Sequence, residues 1–134
     1  MLFRLTGVVA TIALALAFAC TASAQTQHPG PDGIDLMDMG PGDTMLMDIR
    51  GFTLYVRDTD PIGKSTCTGA CTKAWPPLLV STRAHPRGNY TIIVRNDGKR
   101  QWAYKGKPLY LFKRDRVPME TRGNGVLGWH LAKP

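Results

Sequence analysis

The sequence predicts a mainly β fold: a small single domain of two hairpin-containing repeats with a pseudo-two-fold relation and one short helical turn near a cysteine pair. Three observations predict it. Segments rich in β-branched and aromatic residues alternate with Gly- and Asn-containing turns. No segment keeps a sustained 3.6-residue apolar period, and a ten-residue motif occurs twice. The length of 134 residues allows one domain.

Residues 1–24 have the pattern of a secretory signal peptide. Arg4 precedes an apolar run over residues 8–20, and Ala22 and Ala24 provide the small residues of a cleavage site before Gln25. The apolar run is shorter than the about 20 residues that a membrane-spanning helix needs. The pattern predicts a periplasmic or secreted bacterial protein released after residue 24. Lipid attachment at Cys20 is the alternative, although the Leu usual three positions upstream is absent.

Residues 25–43 contain Gly, Pro and Asp but no Lys or Arg. This composition predicts a flexible acidic tether and places the folded domain at residues 44–134. Residues 25–48 contain five Asp and no base, whereas residues 49–134 contain sixteen bases and five acids. Either the acidic arm folds back on the basic body, or both parts are simply solvated, which is the commoner case.

Hairpins are predicted in both repeats of the folded domain. In the first, about residues 44–80, segments 45–49 and 53–56 flank a turn at Arg50–Gly51. In the second, about residues 90–134, segments 91–95, 100–104 and 109–112 are joined by turns at 96–99 and 105–108. This order predicts a meander in the second repeat. Only residues 69–74 are expected to form a helical turn.

Both repeats contain the motif G-x2-L-Y-x4-D at an offset of 55, with a Trp 15 or 14 residues after the Asp. We expect the Gly at a turn, the Leu and Tyr on opposite strand faces, and the Asp capping the next loop through backbone N–H groups. The Trp would cover the hairpin. Neither copy can bury its own apolar face, so the two should pack together. The motif residues are Gly51, Leu54, Tyr55, Asp60 and Trp75, and Gly106, Leu109, Tyr110, Asp115 and Trp129.

Cys67 and Cys71 are the only cysteines after the signal peptide. An even pair in an oxidising compartment predicts a disulfide, and the i, i+4 spacing requires a helical turn or a tight loop. Two thiolates at this spacing are also able to bind Cu(I). Met37, Met39 and His28 would supply further soft ligands. A structural disulfide is the preferred interpretation, and a copper or redox site is the alternative.

The repeats resemble a bacterial family of secreted repeats and predicted lipoproteins that the Tyr-x4-Asp motif defines. In the first copy, the similarity includes the run S-T-C-x3-C-x3-W-P-P-L over residues 65–78, and in the second it extends over residues 97–130. The resemblance covers about residues 44–134. It implies an exported envelope protein, often a lipoprotein, whose biochemical activity is unassigned, and it supplies no catalytic residues.

The chain lacks a recognisable catalytic constellation, because neither Ser65 nor Ser81 lies in a nucleophile elbow and Glu120 is the single Glu. We therefore expect a non-catalytic protein without a cofactor. Basic residues crowd the second meander, which indicates either binding to anionic envelope lipids or polymers or a solvated, solubilising surface. They are Lys99, Arg100, Lys105, Lys107, Lys113, Arg114 and Arg116.

Export removes most nucleic acid targets, so we expect no nucleic acid partner. We expect the protein to be a monomer that associates with the membrane only peripherally, if at all. A periplasmic copper-binding or thiol-redox protein is the alternative function.

Overall fold

Seven short strands and one helical turn make up the computed structural model, which describes residues 30–134. The elements are β1 (Ile34–Gly40), β2 (Asp43–Asp48), β3 (Tyr55–Arg57), α1 (Ala70–Ala74), β4 (Tyr90–Val94), β5 (Arg100–Tyr104), β6 (Lys107–Pro108) and β7 (Trp129–Leu131). This mainly β architecture with one short helix among the described residues confirms the predicted fold class. The predicted signal peptide, with Cys20, lies outside these residues, as do His28 and the start of the predicted tether.

Antiparallel hairpins open both repeats. β1 pairs with β2, and β4, β5 and β6 form a three-stranded meander. The β-branched run over residues 91–94 forms most of β4, and Gly98 adopts a positive φ of 79° in the following turn, which glycine tolerates without strain. The third strand is Lys107–Pro108 instead of the predicted 109–112. It ends there because the backbone of Tyr110 bonds to Tyr55 of the first repeat.

The prediction of a flexible tether is wrong for residues 34–43. These residues form β1 and the turn that leads into β2, with Ile34 only 1% exposed. Ile34 and Leu36 alternate toward the core, and their pairing with β2 supplies the burial that their own composition does not predict. Three of the Gly and Pro residues that indicated a linker, Gly40, Pro41 and Gly42, lie at the hairpin turn, where Gly40 and Gly42 have positive φ.

The segment after each tryptophan pairs with the other repeat. β7, which begins at Trp129, pairs with β3 of the first repeat. Conversely, Pro77 forms a bridge with Tyr110 of the second. Between them, the Tyr55 N–H donates to the Tyr110 carbonyl at 2.8 Å, and the Tyr110 N–H donates back to the Tyr55 carbonyl at 2.9 Å. This reciprocal exchange relates the two repeats by a pseudo-two-fold axis.

The buried side chains form two clusters. One is aliphatic and aromatic and includes Leu54 and Leu109, both fully buried, with Trp102. The other is mainly aromatic and lies between the repeats, where Trp75 and Trp129 stack with ring centroids 3.9 Å apart and planes 4° apart. The tryptophans therefore cover one another at the junction between the repeats. Within residues 30–134, no helix has the length and apolar character that crossing a bilayer requires.

Candidate functional site

Two buried tyrosines each donate a hydrogen bond to the aspartate of the other repeat. The Tyr55 hydroxyl donates to Asp115 Oδ2 at 2.6 Å, and the Tyr110 hydroxyl donates to Asp60 Oδ2 at 2.5 Å. All four residues are less than a tenth exposed. An extended segment of five residues spans about 16 Å, too far for a tyrosine to reach along its own strand. The motif spacing was therefore an available indication of a bond between copies.

The second oxygen of each aspartate holds the loop that follows its own strand. Asp60 Oδ1 accepts from the Thr66 N–H at 2.8 Å and from the Thr66 hydroxyl, and Asp115 Oδ1 accepts from the Arg122 N–H at 3.0 Å. Each carboxyl group thus joins a local loop to the tyrosine of the opposite repeat. Loop capping is what the sequence led us to expect of these residues, and the bond between repeats is an addition to it.

A buried arginine distinguishes the Tyr110 side of the junction. The Tyr110 hydroxyl lies 2.7 Å from Ser65 Oγ, which accepts from Arg95 at 2.9 Å. Arg95 also donates to the Gln101 side chain at 2.7 Å and to the Cys67 carbonyl at 2.6 Å. Its side chain is only 4% exposed. The sequence did not indicate this role, because an arginine between a strand and a turn is typical of an exposed position.

A glycine takes the corresponding place beside Tyr55. The Gly123 N–H donates to the Tyr55 hydroxyl at 3.3 Å. A Cβ at Gly123 would lie 2.8 Å from the Trp75 ring and 2.9 Å from the Tyr55 ring, so no larger residue fits. The two sides of the junction therefore use different means, a charged side chain on one and the bare backbone on the other.

The junction keeps its phenols neutral. Burial, followed by the hydrogen bond to Asp60, raises the pKa of Tyr110 to about 12, while Ser65 and Arg95 act in the lowering direction. Burial also raises the pKa of Tyr55 well above its ordinary value, and Asp115 and Glu120 add to that increase. Burial raises the pKa of Asp115, against the lowering effect of its bonds to Tyr55 and Arg122. Such groups are suited to holding two halves together.

The predicted disulfide is present between Cys67 and Cys71, whose Cα atoms are 5.3 Å apart. Cys71 lies in α1, so the bridge closes a helical turn as the spacing requires. Cys67 is fully buried in the aromatic cluster, and the Trp75 N–H donates to the Cys71 carbonyl at 2.8 Å. The bridge thus fixes the start of the segment that crosses to the second repeat.

The motif glycines both lie in turns with positive φ. Gly51 has a φ of 85°, and a Cβ there would lie 3.1 Å from Pro118. Gly106 has a φ of 79°, and a Cβ there would lie 2.6 Å from Ile62. Each glycine therefore permits its own turn. Because it has no Cβ, it also lets a neighbouring residue, Pro118 or Ile62, approach the backbone closely.

The basic residues of the second repeat lie in three places. Lys99 and Arg100 are at one end of β5, and Lys105 and Lys107 are near its other end, about 20 Å away for six residue steps. The Lys107 ammonium donates to the Asp60 carbonyl at 2.7 Å. The third group, residues 113–116, contains Lys113, Arg114 and Arg116. The seven predicted anion-binding residues are thus spread along β5 and the segment after β6, and their anion binding stays a prediction.

A cleft of about 180 Å³ opens beside the third basic group. Its walls combine aromatic and aliphatic side chains with two cationic residues. Arg50 is one of them, and its guanidinium pairs with Asp48 at 2.6 Å and lies 5.2 Å from the centre of the Phe52 ring. Lys113 is the other, and its ammonium has no carboxylate partner among the described residues. The lining residues are Arg50, Phe52, Thr53, Pro76, Leu111, Phe112, Lys113 and Asp115.

The candidate copper ligands Met37 and Met39 lie in β1 instead of a tether. Met37 is opposite Met45 in the hairpin register, and Met39 is 46% exposed. Among residues 30–134, His, Cys, Asp and Glu side chains form no group of three that could hold a metal ion. The copper and thiol-redox alternatives stay predictions.

Comparison with protein families gives one informative match. A family model described as a secreted repeat of unknown function matches twice, over residues 39–79 and 91–133. The matched segments coincide with the two structural repeats and together cover more than half of the chain. Comparisons with curated proteins and with solved structures give no match.

Proposed function

This chain belongs to the family of secreted repeats of unknown function, and from that membership we propose that it is a non-catalytic protein of the bacterial cell envelope that binds anionic envelope components. The binding surface comprises residues 113–116 and the adjoining cleft. The fold serves as a rigid support, because the polar side chains of the repeat motif form the Tyr–Asp bonds that join the repeats.

The observation that carries the proposal is the excess of unpaired positive charge. Residues 49–134 contain sixteen bases, and the ion pairs of the described residues use only four of them. The four are Arg50, Arg95, Arg122 and Lys133. Twelve bases therefore have no carboxylate partner within the described part of the chain. A surface of this kind attracts polyanions at long range.

The cleft favours residues 113–116 over the other basic groups. Lys113 belongs to both the basic group and the cleft, whose lining also includes Phe52 and Phe112. A lysine without a carboxylate partner beside apolar side chains suits a phosphate or carboxylate that is attached to an apolar chain. The anionic lipids of an envelope have this chemistry, whereas a polysaccharide would use the charge alone. We therefore expect lipid to bind more tightly than soluble polymer.

Vesicle binding of two charge-matched variants tests the proposal. The probes are vesicles of phosphatidylglycerol with phosphatidylcholine, vesicles of phosphatidylcholine alone, and soluble polygalacturonate. The variant K113Q/R114Q/R116Q should bind anionic vesicles at least tenfold more weakly. The control K99Q/R100Q/K105Q, which loses the same charge, should change affinity less than threefold. Equal losses of vesicle affinity in the two variants would show that net charge, and not residues 113–116, determines binding. A vesicle affinity that does not fall as salt rises would contradict an electrostatic site.

We also propose that the protein is released after residue 24. The intact mass of the protein isolated from its own envelope tests this. A mass beginning at Gln25 supports release, and an acylated Cys20 at the N-terminus would show a lipid anchor instead.

A further inference from the structure

Two turns from different repeats contact each other next to the third basic group. The first turn comprises residues 48–51 and the second comprises residues 116–120. The Met119 N–H of the second turn donates to the Gly51 carbonyl of the first at 3.0 Å. Pro118 lies so close that a Cβ at Gly51 would be 3.1 Å from its ring. These contacts join the two segments, which we call the paired turns.

Each of the paired turns is also held by its own hydrogen bonds. In the first, the Gly51 N–H donates to the Asp48 carbonyl at 2.8 Å. In the second, the Glu120 carboxyl group accepts from the Arg116 N–H at 2.5 Å, and the Glu120 N–H donates to the Val117 carbonyl at 3.4 Å. The backbone of both turns is therefore ordered before any partner binds, so that binding costs little conformational entropy there.

Exposed apolar side chains occur on both of the paired turns. Ile49, Val117 and Met119 are each more than half exposed, and we call these three residues the apolar edge. Ile49 is two residues from Gly51, whose carbonyl accepts from Met119. Met119 also has a positive φ of 69°, which residues other than glycine adopt only rarely. Neighbouring apolar residues that stay in water mark surfaces for a partner or a membrane.

Basic residues flank the apolar edge. Arg116 is the first residue of the second turn, and Arg114 and Lys113 precede it by two and three residues. None of these three side chains has a carboxylate partner within residues 30–134. Unpaired cations beside exposed apolar side chains combine the two properties that attract a protein to an anionic lipid surface.

Nearby carboxyl groups do not cancel this charge. Asp48 pairs with Arg50 at 2.6 Å, and Glu120 pairs with Arg122 at 2.8 Å. Asp115 is less than a tenth exposed. Counted together, the segments 48–52 and 113–122 contain five bases and three acids. The surface around the apolar edge therefore keeps a net positive charge.

We propose that the paired turns insert the apolar edge into the outer acyl region of an anionic bilayer while the third basic group contacts the lipid phosphates. The inference rests on the proposed function and adds the manner of binding, which is shallow insertion instead of adsorption by charge alone. A soluble polyanion would contact the basic residues and leave the apolar edge in water. A bilayer satisfies both, because acyl chains and phosphates lie within a few ångströms of each other at its surface.

Vesicle binding of variants with unchanged charge tests the insertion. The probe is the exported protein with vesicles of phosphatidylglycerol and phosphatidylcholine. The variant V117S/M119S should bind at least tenfold more weakly, because it removes apolar area that insertion would bury. The control V94S/L127S also removes two exposed apolar side chains, from positions outside the paired turns, and should change affinity less than threefold. Circular dichroism confirms that each variant is folded.

Salt separates the apolar contribution from the electrostatic one. We expect the loss in V117S/M119S to be about the same at low and high salt, because burial of apolar area is not screened. The loss in K113Q/R114Q/R116Q should shrink as salt rises. A loss in V117S/M119S that disappears at high salt would overturn the insertion.

A fluorescent reporter measures insertion directly. The three native tryptophans are less than a tenth exposed, so M119W and the control L127W each add one tryptophan at an exposed position. With vesicles that contain brominated acyl chains, we expect the emission added by M119W to shift to shorter wavelength and to be quenched. The emission added by L127W should stay unchanged.

The outcomes distinguish this inference from the proposed function. Binding to anionic vesicles without quenching in M119W, or with unchanged affinity in V117S/M119S, would overturn the insertion and leave the proposed function standing. Quenching with equal affinity for phosphatidylcholine vesicles would support insertion and overturn the anionic binding. A dimer that V117S/M119S dissociates, measured by sedimentation equilibrium, would assign the apolar edge to a second copy of the chain and overturn the inference. An absence of vesicle binding would overturn both.

Discussion

The two Tyr–Asp bonds occupy equivalent positions in the repeats, but their surroundings differ. Around Tyr110 and Asp60, side chains complete the network, with Ser65 and the buried Arg95 linked in series. Around Tyr55 and Asp115, the backbone N–H of Gly123 completes it. The comparison teaches that the bond between the repeats is the shared element of the duplicated fold. The support behind that bond differs between the two sides, a buried arginine network on one and a backbone N–H on the other.

Removing each aspartate should show that the two sides are unequal. Asp60 accepts from Tyr110 and twice from Thr66, whereas Asp115 accepts from Tyr55 and once from Arg122. Since D60A loses three hydrogen bonds and D115A loses two, and a bond to a charged group is worth about 1.5–3 kcal/mol, we expect D60A to lower the free energy of unfolding by about 1.5–3 kcal/mol more than D115A does. Urea unfolding followed by tryptophan fluorescence measures both. A larger loss in D115A would contradict the described difference.

The two repeats also hold their loops by different contacts. We expect the removal of these contacts to have an intermediate effect on the free energy of unfolding. The first repeat holds its loop with the disulfide, and the second holds residues 116–117 with the Glu120 carboxyl group. Closing a five-residue loop is worth about 2 kcal/mol on the chain-entropy model, so C67A/C71A should lose about that much. We expect E120A, the matched change in the second repeat, to lose less because the Glu120 side chain is only partly buried. Unfolding with and without reductant measures both losses, and a disulfide-free variant as stable as the native protein would contradict this assignment.

The phenol titrations provide the smallest and most local test. We expect Tyr110 to ionise before Tyr55, because Arg95 and Ser65 lower the pKa of Tyr110 while Glu120 raises that of Tyr55. The folded pKa of Tyr110, about 12, exceeds its ordinary value of 10.0, so its contribution to stability is complete below pH 10 and is lost between pH 10 and 12. Absorbance at 295 nm of native protein, Y110F and Y55F measures the order. If Y55F removed the earlier-titrating phenol, the assigned role of Arg95 would be wrong.

Local features of the chain predicted the β4–β5 hairpin, the helical turn at the cysteines and the pairing of the two repeats, whereas the segments of the predicted first hairpin, 45–49 and 53–56, are joined by only one bridge, Met47 to Thr53. Turn glycines such as Gly51 and the Cys67–Cys71 spacing can be interpreted from a few neighbouring residues. The pairing of β1 with β2 was missed, because the burial of Ile34 depends on a partner strand and not on the composition of its own segment. The placement of Arg95 was missed for a similar reason. Its partners Ser65 and Cys67 are about thirty residues away, and no local sequence pattern predicts these contacts.

A double-mutant cycle tests most directly that the repeats are joined through crossed Tyr–Asp bonds. Free energies of unfolding are measured for Y55F, D115A, D60A and the two double variants Y55F/D115A and Y55F/D60A. We predict a coupling energy of about 1–2 kcal/mol between Tyr55 and Asp115, which bond across the repeats, and less than about 0.5 kcal/mol between Tyr55 and Asp60. Strong coupling of Tyr55 to Asp60 of its own repeat, with none to Asp115, would contradict the account.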